Sequence, residues 1–189
     1  MELLRRECSY IPTDETLTQF LNLGKLAEYA DKAIIVQQGE VNSNVYVLKK
    51  GVIGYSDMNG DKTRVVGFGL PGSIFISKYP FVKNLPSCYE LKSYGHTELV
   101  VITREDFYRW MDGCPDGAKW FTQLLFEELY CLELRNATIH NGTVEERFLN
   151  LLKARPDLIG RVPQKDLASY LGATPEYLCA VRKKVLSQR

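Results

Sequence analysis

A chain of 189 residues, 45% of them apolar, has material for one large core or two modest ones. No run reaches the roughly 18 apolar residues of a membrane helix, and Met1-Glu2-Leu3-Leu4-Arg5-Arg6 lacks a signal peptide's apolar stretch, so a cytoplasmic protein without a membrane segment is expected. The net charge of +1 decides nothing alone, but residues 143–189 hold nine Lys or Arg against five acids, and the last eight residues carry four bases and no acid. Such a bias suits a phosphate-facing module, although a solvated tail has the same composition.

Along the chain, Asp14 to Ala30 carries Leu17, Phe20, Leu21, Leu23, Leu26 and Ala27, which reads as one helix with Gly24 as an interruption. From Ile34 to Ile102 the pattern changes to short strands: Ile34 to Gln38, Val45 to Lys50, Val52 to Ser56, Arg64 to Phe68, Glu90 to Ser93 and Glu98 to Ile102. Gly39-Glu40, Lys50-Gly51, Asn59-Gly60 and Pro71-Gly72 punctuate them. Asn59-Gly60 is the best hairpin signal, because a two-residue primed turn needs positive φ at both positions. This spacing predicts an antiparallel sandwich or barrel.

Pro115-Asp116 then starts a long helix with Trp120, Phe121, Leu124, Leu125, Leu129, Leu132 and Ile139 at intervals of mostly three, four or seven. At 1.5 Å per residue it spans roughly 30 to 38 Å, too long for a domain of this size to hide. Either it lies across its own barrel or a second copy covers it. His140-Asn141-Gly142 ends the pattern, and Thr143 to Glu146 forms a capping box for a helix with Phe148, Leu151 and Leu152 that stops at Arg155-Pro156.

From Gln164 to Lys184 the spacing is that of two helices clasped through Leu167, Ala168, Leu171, Leu178 and Val181, with Gly172 at the turn and Thr174-Pro175 as cap and first helical residue. An ordinary helical hairpin has the same spacing. As a DNA reader, the pair would turn Thr174, Pro175, Glu176, Cys179 and Ala180 toward base edges, with Lys165, Arg182, Lys183 and Lys184 within reach of phosphates.

Cys8, Cys88, Cys114, Cys131 and Cys179 form no C-x-x-C pair, and His96 and His140 are the only histidines, so no metal centre and no cofactor is expected. No Gly-x-Ser-x-Gly, phosphate-cradling loop or His-activated nucleophile points to an enzyme. Ser87-Cys88 near His96 is the nearest thing to a constellation, and packing is its plainer reading.

Gly39-Glu40, Asn44 to Ile53, the Asn59-Gly60 hairpin, Leu70-Pro71-Gly72 and the Gln164 to Lys183 helix pair together resemble the Crp/Fnr family of bacterial transcription regulators over nearly the whole chain. The resemblance implies an α+β fold: an antiparallel double-stranded β-helix or jelly-roll barrel of the cyclic-nucleotide-binding type over 1–112, a dimerisation helix over 113–140, and a helix-turn-helix over 141–189. It also implies a homodimer on a near-palindromic double-stranded DNA site, with RNA polymerase a further partner, and Phe121, Leu124, Leu125 and Leu132 in the dimer helix. The chain stops at Arg189, so no full wing is expected after the reader.

Family members that bind cyclic AMP carry Gly-Glu and then Arg-Ser or Arg-Thr in a phosphate cassette. Here Ile76-Ser77 and Ser87-Cys88 stand at those places, beyond Gly72, with only Lys78, Lys83 and Lys92 nearby as substitutes. A degenerate effector pocket that does not bind cyclic AMP is therefore expected, responding to an unknown effector or to none. Pro175 and Ala180 stand where many members place guanine-reading arginines, while Glu176 keeps an acceptor for a cytosine amino group. The rival reading is a ligand-sensing or partner-docking barrel whose C-terminal helices only complete the fold.

Overall fold

The computed structural model describes residues 9–59 and 62–187. Cys8, Gly60 and Arg189, named above, lie outside the described residues, as does the tip of the Asn59-Gly60 turn.

Six antiparallel strands make one sheet: β1 (Lys25–Tyr29), β2 (Ile34–Val36), β3 (Val45–Asn59), β4 (Lys62–Gly69), β5 (Ile74–Ile76) and β6 (Glu90–Ile102), in the order β1-β6-β3-β4, with β2 also on β6 and β5 also on β3. The strands read as separate pairs from the sequence are two long strands. Val45 to Lys50 and Val52 to Ser56 belong to β3, while Glu90 to Ser93 and Glu98 to Ile102 belong to β6.

What looked like breaks are bulges. The β3–β6 register shifts on both sides of Lys50, where Gly51 at φ +98° brings its backbone so close to Thr97 that a Cβ would sit 2.4 Å from Thr97 Oγ1. Because of these bends the sheet rolls over on itself. Tyr46, Leu48 and Leu99 meet Ile53 and Leu91 from the other halves of the same two strands, together with Val36 and Phe75, in a buried interior. β3 and β4 pair as far as Asn59 opposite Lys62, so they are joined as a hairpin.

The alternate residues of these strands face a layer of helices: α1 (Asp14–Asn22), α2 (Lys78–Lys83), α3 (Arg104–Gly113) and the first turns of α4 (Pro115–Asn141). Val45, Val47, Val100 and Ile102 pack there against Phe20, Phe107, Trp110, Trp120 and Phe121. The helix expected over Asp14 to Ala30 stops at Asn22, and Lys25–Tyr29 is β1, paired with β6 from Lys25↔Val101 to Tyr29↔Thr97. Gly24 marks the change, since a Cβ there would lie 2.5 Å from Val100 Cγ1. The run Leu21, Leu23, Leu26, Ala27 fits a helical period only by merging two elements.

The first layer is tied to the start of α4 through Asp116, whose carboxylate accepts hydrogen bonds from Thr16 Oγ1 (2.6 Å), Tyr10 Oη and the Thr13 amide. These donors, Thr16 first, hold the Asp116 carboxyl at about 2 against an ordinary value of 3.8. A depressed folded-state pKa gives stability that is present above the ordinary value and lost as pH falls through the folded value. The thermal midpoint of the wild type is therefore expected to drop more steeply between about pH 4 and pH 2 than that of Asp116→Asn, whose midpoint is lower at neutral pH; parallel curves would contradict this role.

The C-terminal unit contains α5 (Val144–Ala154), a 3-10 turn (Pro156–Leu158), α6 (Gln164–Tyr170) and α7 (Pro175–Ser187). The capping box at α5 is complete: Thr143 Oγ1 accepts from the Glu146 amide, and the Glu146 carboxylate accepts from the Thr143 amide at 2.7 Å. Leu167, Ala168, Leu171, Leu178 and Val181 are buried together with Phe148, Leu151, Leu158, Val162 and Val185. Val52, Leu70 and Tyr94 of the rolled sheet join the same cluster, so the two units share an apolar contact.

Candidate nucleic-acid interface

The turn between α6 and α7 is held from three sides. Gly172 takes φ +66°, the Ala173 amide donates to Ala168 O at 2.9 Å, and Arg147 Nε donates to Leu171 O at 2.9 Å. Arg147 also donates from Nη1 to Gly142 O at 2.7 Å, so one guanidinium fixes the end of α4 and the turn of the helix pair. Thr174 Oγ1 caps α7 by accepting from the Tyr177 amide at 3.2 Å, and Pro175 takes the first helical position, where its missing N–H costs nothing.

Thr174, Pro175, Glu176 and Ala180 are exposed on the outside of this pair, and Cys179 is half-buried between them. Pro175, Glu176 and Cys179 line a shallow groove with Gln164, whose Nε2 donates to Pro175 O at 2.9 Å and so braces the first turn of α7 from α6. Tyr177 belongs to the same outer surface at 54% exposure. Sequence reading passed over it because an aromatic at helical spacing resembles core; its place three residues after an N-cap is the signal that it points away from the clasped face.

Lys165 and Lys183 are exposed and Arg182 is half-buried. Lys184 is exposed as well, and its Nζ donates to Glu145 Oε2 at 2.6 Å across α5 and α7.

In the expected effector region, Gly72 turns the chain at φ +100° and its amide donates to Leu48 O at 2.8 Å. Ser77 and Ser87 are brought together, with Ser77 Oγ donating to Ser87 Oγ at 2.8 Å and Ser87 Oγ to Tyr89 O at 2.7 Å. A neutral hydroxyl pair thus occupies the place aligned with carboxylate and guanidinium. Cys88 is half-buried beside it in sequence.

Ile76 must be withdrawn from the pocket set: it packs with the helical layer, and it is Phe75 that points into the roll, with its ring 5.3 Å from that of Tyr55. Strand alternation is the reason, since consecutive residues of β5 face opposite ways. Lys78 is held by Glu128 at 2.8 Å, and Tyr46, buried in the interior, donates from its hydroxyl to Asn42 Oδ1 at 2.9 Å, burial pushing its pKa up. His96 lies on the surface between the carboxylates of Glu98 and Glu28, at 3.5 and 3.7 Å. Among the described residues no group of three or more His, Cys, Asp or Glu is placed to hold a metal ion, and no helix is long and apolar enough to cross a membrane.

α4 has two different halves. Phe121 and Leu124, expected at a dimer contact, pack instead into the helical layer, Phe121 with its ring 4.7 Å from Phe107. Beyond them, Leu125, Leu129, Leu132 and Ile139 are exposed, and with Asn136 they form one row at steps of four, three, four and three. Leu125 and Leu132 therefore keep their place on an open face, while the first two residues are revised to core.

Residues 26–114 match the family described as the cyclic nucleotide-binding domain. No curated protein matches the chain in sequence. In fold, the chain is similar to the global regulator CLP of Xanthomonas campestris, described as c-di-GMP responsive, at 18% identity and a TM-score of 0.74 over 93% of each chain. It is similar to FixK2 from Bradyrhizobium japonicum at 18% identity and a TM-score of 0.76, over 87% of this chain and 85% of that one. A CooA variant from Carboxydothermus hydrogenoformans gives 15% identity and a TM-score of 0.75, over 97% and 88%. The fold is that of Crp/Fnr-type regulators.

Proposed function

We propose that the protein is a transcription regulator that binds double-stranded DNA as a homodimer on a palindromic site, with α6 and α7 as a helix-turn-helix and with a rolled-sheet domain whose nucleotide site is degenerate. One observation carries the reading: the buried clasp of α6 and α7 leaves Thr174, Pro175, Glu176, Tyr177 and Ala180 in the first turns of α7 open to solvent, beside the basic residues that follow. The likeness to CLP over both units favours regulation over a docking role. RNA polymerase is the further partner such a regulator implies, and the cytoplasm the place it works.

In this reading Glu176 accepts from a cytosine amino group, and Thr174 and Tyr177 flank it with a hydroxyl and an aromatic edge. Pro175 and Ala180 carry no guanidinium, so bidentate guanine contacts at those two positions are missing and the operator differs from that of relatives with arginine there.

The test is binding to random duplex DNA across a salt series, followed by selection of bound sequences from a random pool. Phosphate contact predicts log K falling with log salt by about 0.9 per contact, and the pool should enrich for two half-sites about one helical turn apart. Affinity that is absent, or flat with salt, sinks the reading in favour of partner docking.

Cyclic AMP is expected to give no saturable heat by calorimetry at low micromolar nucleotide. The Ser77–Ser87 pair offers a cyclic phosphate hydroxyl donors but no cation, and burying an anion without one costs several kcal/mol. A saturating isotherm in that range would overturn the degenerate-pocket assignment.

A further inference from the structure

The chain ahead of α1 runs along α4, antiparallel to it. Thr13 donates from its amide to Asp116 Oδ2 at 3.0 Å, and Tyr10 lies under the Lys119 ammonium, 4.6 Å from the ring centroid. Ser9 donates from its amide to Glu127 Oε1 at 2.8 Å and accepts from Gln123 Nε2 at 3.1 Å. Going back from Thr13 to Ser9, the contacts therefore climb α4 from Asp116 to Glu127, about 16 Å of helix at 1.5 Å per residue.

The face they follow goes on as apolar surface. Lys119 and Gln123 are succeeded at steps of three, four, four and three by Phe126, Tyr130, Leu134 and Ala137, so all six lie along one side of α4. Phe126 and Tyr130 are each 62% exposed and Leu134 53%. Two aromatics and a leucine in one open line form the kind of apolar patch that marks a contact. This stripe is distinct from the row that runs from Leu125 to Ile139: Tyr130, at its middle, stands about 140° around the helix from that row, and a helix paired along the row does not cover it.

The chain itself supplies an occupant. Ahead of Ser9 stand Met1-Glu2-Leu3-Leu4-Arg5-Arg6-Glu7-Cys8, which lie outside the described residues. Leu134 is about 10 Å beyond Glu127 along the helix axis, and a segment of this length reaches up to about 26 Å when extended, so Leu3 and Leu4 come level with Tyr130 and Leu134 with slack to spare. Adjacent leucines give an extended chain an apolar side chain on either face. Arg5 and Arg6 then pass near Glu127 and Glu133, whose carboxylates flank the stripe on its two sides.

We propose that residues 1–8 strap this stripe, carrying Leu3-Leu4 onto Phe126, Tyr130 and Leu134 of the same chain's α4 with Arg5-Arg6 at the flanking glutamates. The strap continues the course that Thr13 to Ser9 already follow. With it in place, α4 presents the row from Leu125 to Ile139 as its open apolar face for a second copy. Nothing in this depends on DNA being the partner of α7.

The experiment uses the full chain and two readouts. Trypsin cleavage after Arg5 and Arg6, followed by intact mass, measures how often the strap lifts, and p-benzoylphenylalanine in place of Leu4 is crosslinked by light in a mixture of isotope-labelled and unlabelled chains and mapped by mass spectrometry. The crosslink should fall between Phe126 and Leu134 within one chain. Cleavage should speed up about tenfold or more in Phe126→Ser/Tyr130→Ser and in Leu3→Ser/Leu4→Ser, with the thermal midpoint reporting that each remains folded, and should be unchanged in Leu125→Ser/Leu129→Ser. Cleavage as fast in the wild type as in the first two variants overturns the strap, and so does a crosslink that lands away from α4. A crosslink that joins labelled to unlabelled chains overturns it too, and gives the stripe to a second copy.

Discussion

Glutamate placed at Leu129 and Leu132 together is expected to give a folded monomer that no longer holds a two-half-site duplex. Both leucines lie open on α4, at 56% and 42% exposure, in the row that runs from Leu125 to Ile139. Fully covering an exposed leucine is worth about 1.5 to 3 kcal/mol and these are already about half covered, so two positions in each of two copies contribute at least about 3 kcal/mol to association, roughly 10²-fold in its constant. Carboxylates buried in that seam would add an electrostatic penalty to the lost apolar area. Leu134→Glu is the control: that side chain is 53% exposed but half a helical turn away from the row, and the same charge there should leave the dimer intact. Sedimentation equilibrium separates the cases, and a double variant that still sediments as a dimer would remove α4 from the interface. Asn136 in the same row is a polar position in an apolar seam, the arrangement that sets the register of paired helices.

The C-terminal unit was nearly transparent to sequence reading, for a local reason. Caps, the Gly172 turn and the apolar spacing of Leu167, Ala168, Leu171, Leu178 and Val181 all act within a few residues of themselves, and the five apolar residues all land buried. The sheet was legible as alternation but not as strands. A bulge shifts the phase of the period, with Tyr46 and Leu48 inside before it and Ile53 inside after it, so Lys50-Gly51 reads as the end of a strand, and β1 vanished because Leu21 to Ala27 satisfies a helical count across a helix and a strand. Ile76 entered the pocket set by its alignment with the phosphate cassette, and three-residue β5 is too short to carry a period that would have shown Phe75, not Ile76, facing the interior.

What could not be read was everything that depends on long-range contact. Phe121 and Leu124 share a helical spacing with Leu125 and Leu132, and only the position of Phe107 tells which of them the first layer covers. The pairing of Lys184 with Glu145 and the contact of Phe68 with Tyr170 join residues far apart in sequence by chemistry that no motif announces.

The triple change Arg182→Ala, Lys183→Ala and Lys184→Ala is expected to weaken binding to random duplex DNA by about 50-fold at 0.1 M salt and to reduce the slope of log K against log salt by about 2. The slope loss is about two contacts rather than three because the Lys184 ammonium already faces Glu145 at 2.6 Å, and a cation with a carboxylate partner releases little of the counterion atmosphere. Folding should survive, since Val181 and Val185, the residues of this turn that enter the core, are untouched. The same logic gives a change of opposite sign. Glu145→Gln frees Lys184 without altering the helix, so its slope should steepen by about 0.9 and its affinity rise, with Lys184→Ala alone near neutral. A triple variant with an unaltered slope, or Glu145→Gln with a shallower one, would mean that the basic end of α7 does not face phosphate, and the exposed turn from Thr174 to Ala180 would then need a partner of another kind.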